Sequence, residues 1–400
     1  MSEYILELYS EEVPPSLQVS AKSQLEEYLS KELTSVGVKF KKLQLFSTPT
    51  RLTVFITGLS KKIKIPELEI RGPKEGVENT IVENFAKSKN VNIQNLYKKK
   101  LDKGTFFFTK IQGREIETKE ELIVQIPKIL NKISWKRSMK WSEHELNWGR
   151  PLISIMSIYD SKPLKFKFYH LETVNFTYLE KDDELKKRVI KDSNDYFKYL
   201  FDNKIIIDNN KREKFIHDKI TSICKNKFYQ DTIDKHLLFE VSNLVDKPSI
   251  ILANFDKTYL KLPKEVIKST LQFHQKYFTL VDQKGRMTNE FIIVVNKVDS
   301  KKIIKLGNES VVEARLSDAS FFWEKDKSLN LIKQINKLKK ITFYENLGSI
   351  YEKTQRLRKM AYFISDQLNL NKEKVEIAAS VCKSDLVSGL VGEFPELQGV

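Results

Sequence analysis

The sequence has little of what secreted, membrane-spanning or disulfide-stabilised proteins depend on. Only two cysteines occur, Cys224 and Cys382, and their separation matches no metal-binding or disulfide spacing. No apolar run reaches the roughly 20 residues that a bilayer-spanning helix needs. The opening stretch MSEYILELYSEE lacks the basic and long apolar segments of a secretory signal. We therefore expect a cytoplasmic protein with no membrane partner.

The motifs of self-contained enzymes are also missing. The chain has no G-x-x-x-x-G-K-[ST] phosphate-binding loop and no glycine-rich fingerprint between a strand and a helix. Its five histidines fall in unrelated contexts, and no H-E-x-x-H pair occurs. We expect no catalytic, cofactor-binding or metal site on this chain.

Two short segments are similar to parts of HD-type metal-dependent phosphohydrolases. His217-Asp218 is a literal His-Asp dipeptide, but it lies in a lysine-rich amphipathic stretch, which favours a solvated helix. In AASVCKSDLVSG, Asp385 occupies the place of the metal-binding Asp, and Ser384 the place of the His. A serine hydroxyl is a poor replacement for imidazole on a transition metal. This segment predicts a helical scaffold without a working metal site.

Positive charge is in excess. The net charge is +16 and the pI about 9.4, and phosphate binding rests on Lys and Arg. Arginines are few, however, and Lys, Asn and Ile are abundant together, which a base-composition bias in the coding sequence also produces. Charge alone leaves a nucleic-acid partner and an ordinary basic surface as alternatives.

Hydrophobic periodicity predicts an α/β (α+β) multidomain chain. The predicted strands are YILELY, VKFKKLQLF, RLTVFITGL, GTFFFTKI, PLISIMSIY, LKFKFYH, PSIILANF, KYFTLV and FIIVVN, the last two joined as a hairpin by DQKGRMTN. Predicted helices follow Pro15 with a Leu25, Leu29 and Leu33 stripe, surround IVENFAKS, span 119–132, fill the lysine-rich stretch 180–235, and continue throughout after Phe322. IKIPELEIRGPKEG is predicted to be a linker.

These elements divide into four predicted domains. They are a β-α-β-β unit at 1–62, a small α/β unit at 63–133, a central mixed α/β domain at 134–320, and the beginning of a helical domain at 321–400.

The C-terminal segment predicts an apolar face without a partner. Leu390, Val391, Phe394 and Leu397 recur at helical spacing, so we expect the helices beyond Leu357 to be poorly packed. Glu393 and Glu396 are expected to be a solvated surface pair. In FHQKYF, we expect Phe273, Tyr277 and Phe278 in the core, with His274 satisfied beside them; the alternative is that His274 and Lys276 contact a nucleotide.

An ordered series of segments resembles the beta subunit of bacterial heterotetrameric glycyl-tRNA synthetase. It includes ILELYSEEVPP, FSTPTRLTVFITGL, SMKWSEHELNWGRPLISIM, EVSNLVDKPSIILANF, GNESVVEARLSDASFFWEKD and KSDLVSGLVGEFPELQGV. Two features depart from the family. ETVNFTYLEKD stands where the family has G-H-R-F, and family members continue beyond ELQG, so the resemblance implies a helical HD-like domain that is incomplete here.

The resemblance also implies a division of labour between two chains. The class II catalytic core, which uses ATP and glycine, would lie on a separate alpha subunit within an alpha2beta2 heterotetramer. This chain would resemble parts of the phenylalanyl-tRNA synthetase beta chain in its mixed-sheet domains, and would hold tRNA(Gly) and the alpha subunit. The competing functions are a general RNA-binding or structural protein without a catalytic partner, and an HD-type phosphohydrolase.

The resemblance leads us to expect tRNA contacts on the helical region. The candidates are Lys339, Lys340, Arg356, Arg358 and Lys359. The alternative is an ordinary solvated face that is balanced by Glu345 and Glu352.

Overall fold

The computed structural model describes residues 2–65, 67–89, 91–111, 113–181, 184–230 and 233–400. It divides into two compact units, residues up to Asp208 and residues from Asn209 onward. The mixed α/β architecture that the sequence predicts is confirmed. Among the described helices, none combines the length and the apolar character that a bilayer-spanning segment requires.

The first unit contains four helices and fourteen strands among its described residues. Its helices are α1 (Pro15–Ser35), α2 (Asn79–Ser88), α3 (Thr118–Asn131) and α4 (Ser193–Asp202). Its strands are β1 (Ser2–Ser10), β2 (Lys42–Ser47), β3 (Arg51–Leu59), β4 (Lys62–Ile65), β5 (Leu68–Lys74), β6 (Tyr97–Leu101), β7 (Gly104–Ile111), β8 (Arg114–Glu117), β9 (Leu152–Tyr159), β10 (Lys162–Pro163), β11 (Lys167–Phe168), β12 (Leu171–Val174), β13 (Phe176–Lys181) and β14 (Glu184–Val189).

The principal sheet has the order β11-β12-β9-β1-β3-β2, with β10 on β9. Its central strand β1 is antiparallel to both neighbours, with Leu6 opposite Val54 on β3 and Ser157 on β9. Successive side chains of a strand point to opposite faces. Leu6 therefore joins the core of α1 and α3, and Ile5 joins the core of α4. Burial on both faces explains the continuous apolar run of β1.

A smaller sheet system lies where the sequence predicts a linker. β4 pairs with β8, and β5, β7 and β6 form a three-stranded antiparallel sheet. The linker prediction is therefore wrong for β4 and β5, while Pro66 lies outside the described residues. Local proline and glycine content suggested a linker, but strand pairing is set by partners on β7 and β8 that lie about 30 to 55 residues further along.

Two further predictions in this unit are corrected. LKFKFYH forms only the two-residue strand β11, because Tyr169 adopts a φ of 51° and ends it. The start of the predicted helical stretch 180–235 is instead strand β14, paired with β13. Helices begin only at α4, where the Asp192 side chain accepts a hydrogen bond from the Asp195 backbone and caps the N-terminus.

The second unit contains eight helices and five strands among its described residues. Its helices are α5 (Asn209–Lys227), α6 (Lys235–Ser242), α7 (Lys264–Lys268), α8 (Ile303–Lys327), α9 (Leu331–Gln334), α10 (Ile350–Gln367), α11 (Lys372–Val381) and α12 (Gly389–Glu393). Its strands are β15 (Ser249–Asn254), β16 (Phe278–Val281), β17 (Met287–Val295), β18 (Thr342–Tyr344) and β19 (Gly348–Ser349).

The sheet β15-β17-β16 separates two cores of this unit. Phe291 and Ile293 of β17 face a core that contains Leu316 of α8, whereas Ile292 faces a core that contains Ile216 of α5. The predicted hairpin of β16 and β17 is confirmed, and Gly285 supplies the positive φ of 75° that its loop needs.

The C-terminal region differs from the sequence prediction in two ways. First, helices do not continue throughout, because β18 and β19 form a short hairpin before α10. Second, Leu390, Phe394 and Leu397 are buried in the α8 core, so the prediction that this apolar face lacks a partner is wrong. Exposed apolar side chains are found instead on α10, where Phe363 is 64% exposed.

Candidate nucleic-acid interface

The N-terminus of α10 is fixed by local chemistry. Ser349 and Glu352 form a capping box, in which the Glu352 carboxylate accepts the Ser349 backbone N–H at 2.6 Å. Gly348 permits this arrangement, because it has a φ of +81° and a Cβ there would approach Glu352 Oε2 within 2.0 Å. Hydrogen bonds from Ser349, backbone first, lower the pKa of Glu352, with a smaller contribution from Arg356. Glu352 is therefore a cap residue and not only a charge that balances lysines.

Three cations lie along one side of α10, of which Arg356 and Lys359 are exposed and Lys353 is half-buried. Lys353, Arg356 and Lys359 follow at intervals of three residues, which spreads them over an arc of about 120°. Arg356 donates to the Leu347 carbonyl at 3.1 Å and remains exposed. Lys359 is exposed, and no acid among the described residues pairs with it. The sequence analysis missed Lys353, although its position one turn before Arg356 could have identified it.

Arg358 points away from this arc. It donates to Gln355 Oε1 at 3.0 Å and to the Glu376 carboxylate of α11. It therefore ties two helices together, and its half-buried side chain is poorly placed to reach a phosphate on the opposite side of α10.

Lys339 and Lys340 lie in a 3-10 segment, Ile335–Lys340, that packs against α10. Lys339 Nζ is 4.8 Å from the centroid of the Tyr351 ring, and Lys353 Nζ is 3.8 Å from that of Phe343. Such cation–π contacts hold lysines over rings while leaving N–H groups accessible. Tyr351 precedes Arg358 by seven residues, so Lys339 lies on the Arg358 side of α10. The structure thus places two of the five predicted candidates, Arg356 and Lys359, on one side of α10 together with Lys353, and RNA contact by these residues stays a prediction.

His274 belongs to a hydrogen-bonded group at the end of α7. Residues Ser269–His274 continue that helix as a π-helical turn. His274 Nε2 lies 2.9 Å from Glu396 Oε1, and Ser269 donates to the same oxygen. The carboxylate stands between the serine and the histidine, so the imidazole is not in contact with the hydroxyl and cannot serve as its base. The group fastens the 3-10 turn Pro395–Leu397 to the π-helical turn.

This group corrects two predictions and confirms two others. Glu396 is not solvated: burial would raise its pKa, but hydrogen bonds from Ser269 and His274 lower it overall. Phe273 is 60% exposed, so its prediction as a core residue is wrong. The π-helical turn shifts the side-chain register by about one residue relative to an α-helix. Tyr277 and Phe278 are buried, and His274 has a hydrogen-bond partner, as the sequence predicts.

The HD-like segments do not assemble a metal-binding group. His217 Nδ1 is 3.5 Å from Asp218 Oδ1, and both side chains are exposed. Ser384 is fully buried, and the Asp385 carboxylate accepts the Gly399 backbone N–H at 2.9 Å. Within the ranges that the structure describes, no three His, Cys, Asp or Glu side chains converge as metal ligands would.

The first unit holds a buried ion pair that the sequence analysis missed. Arg51 Nε lies 3.3 Å from Glu7 Oε2, with both side chains almost fully buried. Glu7 also accepts hydrogen bonds from Thr177 and Tyr196 at 2.5 Å each. Burial raises the pKa of Glu7, while Arg51 opposes the rise. The cluster joins β1, β3, β13 and α4, and its enclosure indicates a structural role.

A basic groove lies elsewhere in the first unit. It has a volume of about 540 Å³, and four lysines line it together with Tyr159: Lys61, Lys62, Lys119 and Lys162. Glu117 and Asp160 share the lining, and Glu117 pairs with Lys119 at 2.5 Å. The groove is therefore less positive than its lysine content suggests.

Comparisons with known proteins agree on one family. Residues 4–400 match the model described as glycyl-tRNA synthetase beta subunit. The chain is 34% identical over 403 residues to the glycine–tRNA ligase beta subunit of Rickettsia felis, and 36% identical over 403 residues to that of Rickettsia bellii. In both cases 100% of this chain and 60% of the relative are covered, so the chain spans 60% of the length of these curated relatives.

Proposed function

The chain belongs to the glycyl-tRNA synthetase beta subunit family, and on that basis we propose that it acts as the non-catalytic beta chain of a glycine–tRNA ligase. It binds tRNA(Gly) and a catalytic alpha subunit, with an alpha2beta2 assembly as the expected stoichiometry. ATP and glycine are used on the alpha subunit, and this chain carries no cofactor. The identity over the whole chain supports the family role; the partners are part of the proposal.

The proposal extends to the finer architecture. We expect the sheet domains to resemble parts of the phenylalanyl-tRNA synthetase beta chain and residues 321–400 to begin an HD-like helical domain. The division into 1–62, 63–133, 134–320 and 321–400 also stays a prediction. Segment 1–62 contributes β1 and segment 134–320 contributes β9 to the same sheet. We therefore expect these two segments to fold together.

The solvent-facing arc of α10 is the observation that carries the RNA-binding part of the proposal. Lys353, Arg356 and Lys359 present three cations on one side of a capped helix, and phosphate contacts of this kind set affinity and register without reading sequence. We expect a tRNA to lie along this arc with its acceptor arm.

Glycine charging of total tRNA tests the family role. The chain is co-expressed with a candidate alpha subunit, and charging is compared with alpha alone. Charging well above the alpha-only control supports the proposal. If the two chains co-purify without any gain, RNA binding by this chain is refuted while assembly stands. If they neither co-purify nor charge, both parts of the proposal fail.

Binding of purified tRNA to the chain tests the arc. Substituting both Arg356→Gln and Lys359→Gln removes two phosphate contacts, and we expect the slope of log K against log salt to fall by about 1.4 to 1.8. The matched control is Arg358→Gln, which removes one positive charge on the opposite side of α10 and should leave the slope within about 0.3 of the parent. Equal slopes for the parent and the double variant would exclude α10 as the contact surface.

A further inference from the structure

The three-stranded sheet β5-β7-β6 has one face covered by a helix and one face formed by aromatic rings and cations. α2 lies on the first face, where Phe85 contacts Gly72 of β5. On the other face Tyr97 of β6 stands opposite Phe108 of β7, with ring centroids 6.2 Å apart and an interplanar angle of 28°. Phe106 lies two residues before Phe108 on the same strand, so the three rings form a row across β6 and β7.

Cations lie directly on this row. The Arg71 guanidinium carbon is 3.6 Å from the centroid of the Phe106 ring, which is stacking contact. Lys99 Nζ is 5.4 Å from the centroid of Phe108, and Lys74 is opposite Phe106 in the strand register. Phe106 and Phe108 are only 7% and 6% exposed, whereas Arg71, Lys74 and Lys99 are exposed. The surface that a ligand meets is therefore a guanidinium stacked on a ring, with ammonium groups at its sides.

This combination fits one class of ligand. Unpaired bases stack on aromatic rings and on arginine guanidinium planes, and lysines beside them pair with the phosphates. A duplex has its bases already stacked and offers only phosphates and groove edges. We propose that the β5-β7-β6 face, defined by Arg71, Lys74, Tyr97, Lys99, Phe106 and Phe108, binds an unpaired RNA segment, which rests on the proposed function and deepens it by adding a second RNA contact.

Among the described residues, Glu69 is the acid that hydrogen-bonds to this row. Its carboxylate accepts hydrogen bonds from Tyr97 and, at 2.7 Å, from Lys99. The Glu69 hydrogen bond raises the pKa of Tyr97 to about 12, because the carboxylate accepts from the protonated phenol and so favours it. The Lys99 pair is half exposed, and exposed ion pairs are weak, so a phosphate can take the place of Glu69 at Lys99 with little loss.

The chain supplies a matched control for Lys99 in the preceding residue. Lys98 Nζ lies 5.6 Å from the centroid of Phe107 and pairs with Glu75 at 2.6 Å. Lys98 and Lys99 thus share a charge, a ring contact, an acidic partner and a similar exposure. Adjacent residues of a strand point to opposite faces, so Lys98 lies on the face that α2 covers.

The test is fluorescence anisotropy of the full chain with a labelled, unstructured RNA octamer and with an RNA duplex of equal length, at one fixed salt concentration. We expect Lys99→Gln and Arg71→Lys each to weaken binding of the octamer by roughly fivefold or more, because Arg71→Lys keeps the charge but removes the stacking plane. Lys98→Gln should weaken binding by less than twofold, and Lys99→Gln should weaken binding of the octamer by a larger factor than binding of the duplex, because the phosphates of a duplex can also contact the α10 arc. Unchanged thermal unfolding of each variant shows that the fold is kept.

Three results would overturn the inference. An equal loss for Lys98→Gln and Lys99→Gln would reduce the effect to net charge, and an equal loss of octamer and duplex binding in Lys99→Gln would point to phosphate contacts alone. Competition by a polyglutamate peptide at the same charge concentration as the octamer would indicate an acidic protein partner. Glycine charging with the alpha subunit, measured in parallel, separates the two proposals: charging without octamer binding removes this face and leaves the proposed function standing.

Discussion

Phe394 provides the sharpest test of how the C-terminal segment is held. Its ring is fully buried in the core that contains Leu316 of α8, and it meets the His274 ring edge-on at 5.5 Å. Phe394→Ala removes that buried ring, and such substitutions cost about 3 to 5 kcal/mol. Even the lower figure changes the opening equilibrium of the segment by more than about 100-fold at 25 °C.

The effect is best measured locally, because the chain has two compact units and global unfolding of such a chain need not be two-state. Amide hydrogen exchange followed by mass spectrometry reports peptides that cover α12 and the π-helical turn. We expect the parent to be protected at 389–397, and Phe394→Ala to lose that protection together with protection at 269–274, since Glu396 joins the two segments.

Phe321→Ala is the matched control. Phe321 is 62% exposed on α8, so its truncation should change protection at 389–397 by less than about 0.5 kcal/mol. The reasoning is refuted if the parent exchanges freely at 389–397, or if the two alanine variants lose protection equally.

Other predictions concern single contacts. Arg358→Gln should destabilise the packing of α10 on α11 by less than about 1 kcal/mol, because the ion pair with the α11 carboxylate is partly exposed; urea unfolding measures it. The pKa of Glu396 is lowered from its ordinary value of 4.5. The contribution of Glu396 to stability is therefore complete above pH 4.5 and is lost as the pH falls through the lowered pKa. Glu396→Gln should remove this pH dependence from the amide exchange of the segment, after correction for intrinsic exchange rates. Gly149→Ala should destabilise the first unit by about 1 to 3 kcal/mol, because the new Cβ would lie 2.4 Å from Trp135. Gly392→Ala should leave stability unchanged, because nothing lies within 4 Å of the new Cβ. Thermal unfolding distinguishes the two variants.

The elements that sequence analysis predicted correctly are those whose signal is local. α1 shows its Leu25, Leu29 and Leu33 stripe within three turns, and all three side chains are fully buried. β9 is a run of apolar residues long enough for a central strand and too short for most helices. In both cases, a window of about ten residues carries the necessary information.

The elements that it missed depend on distant partners or on small changes of helical geometry. β5 contains Gly72, which reads as a loop signal, yet that glycine gives Phe85 of α2 room to approach the strand. β14 is lysine-rich and gains its strand character from pairing with β13. The π-helical turn Ser269–His274 places Phe273 outside the core. No pattern in these six residues predicts a π-helical turn.

The predictions for the candidate interface also depend on whether the signal is local. The sequence named Arg356, Arg358 and Lys359 together as candidates on one helix, and the structure places Arg356 and Lys359 on one side of that helix. The separate role of Arg358 could not be predicted, because its partner Glu376 belongs to another helix. The aromatic row on β6 and β7 was also missed: GTFFFTKI predicted a strand, but the cation that stacks on it, Arg71, comes from a segment that was interpreted as a linker.

The position of β9 in the principal sheet has a consequence for biosynthesis. β1 lies between β3 and β9, and about 90 residues separate the end of β3 at Leu59 from the start of β9 at Leu152. At 5 to 20 residues per second, translation of that interval takes roughly 5 to 20 s. Throughout it, one edge of the nascent β1 exposes unpaired backbone groups beside apolar side chains, a configuration that recruits foreign strands. Yield from a slowly translating host should therefore depend on chaperone capacity during synthesis more than on the stability of the finished protein.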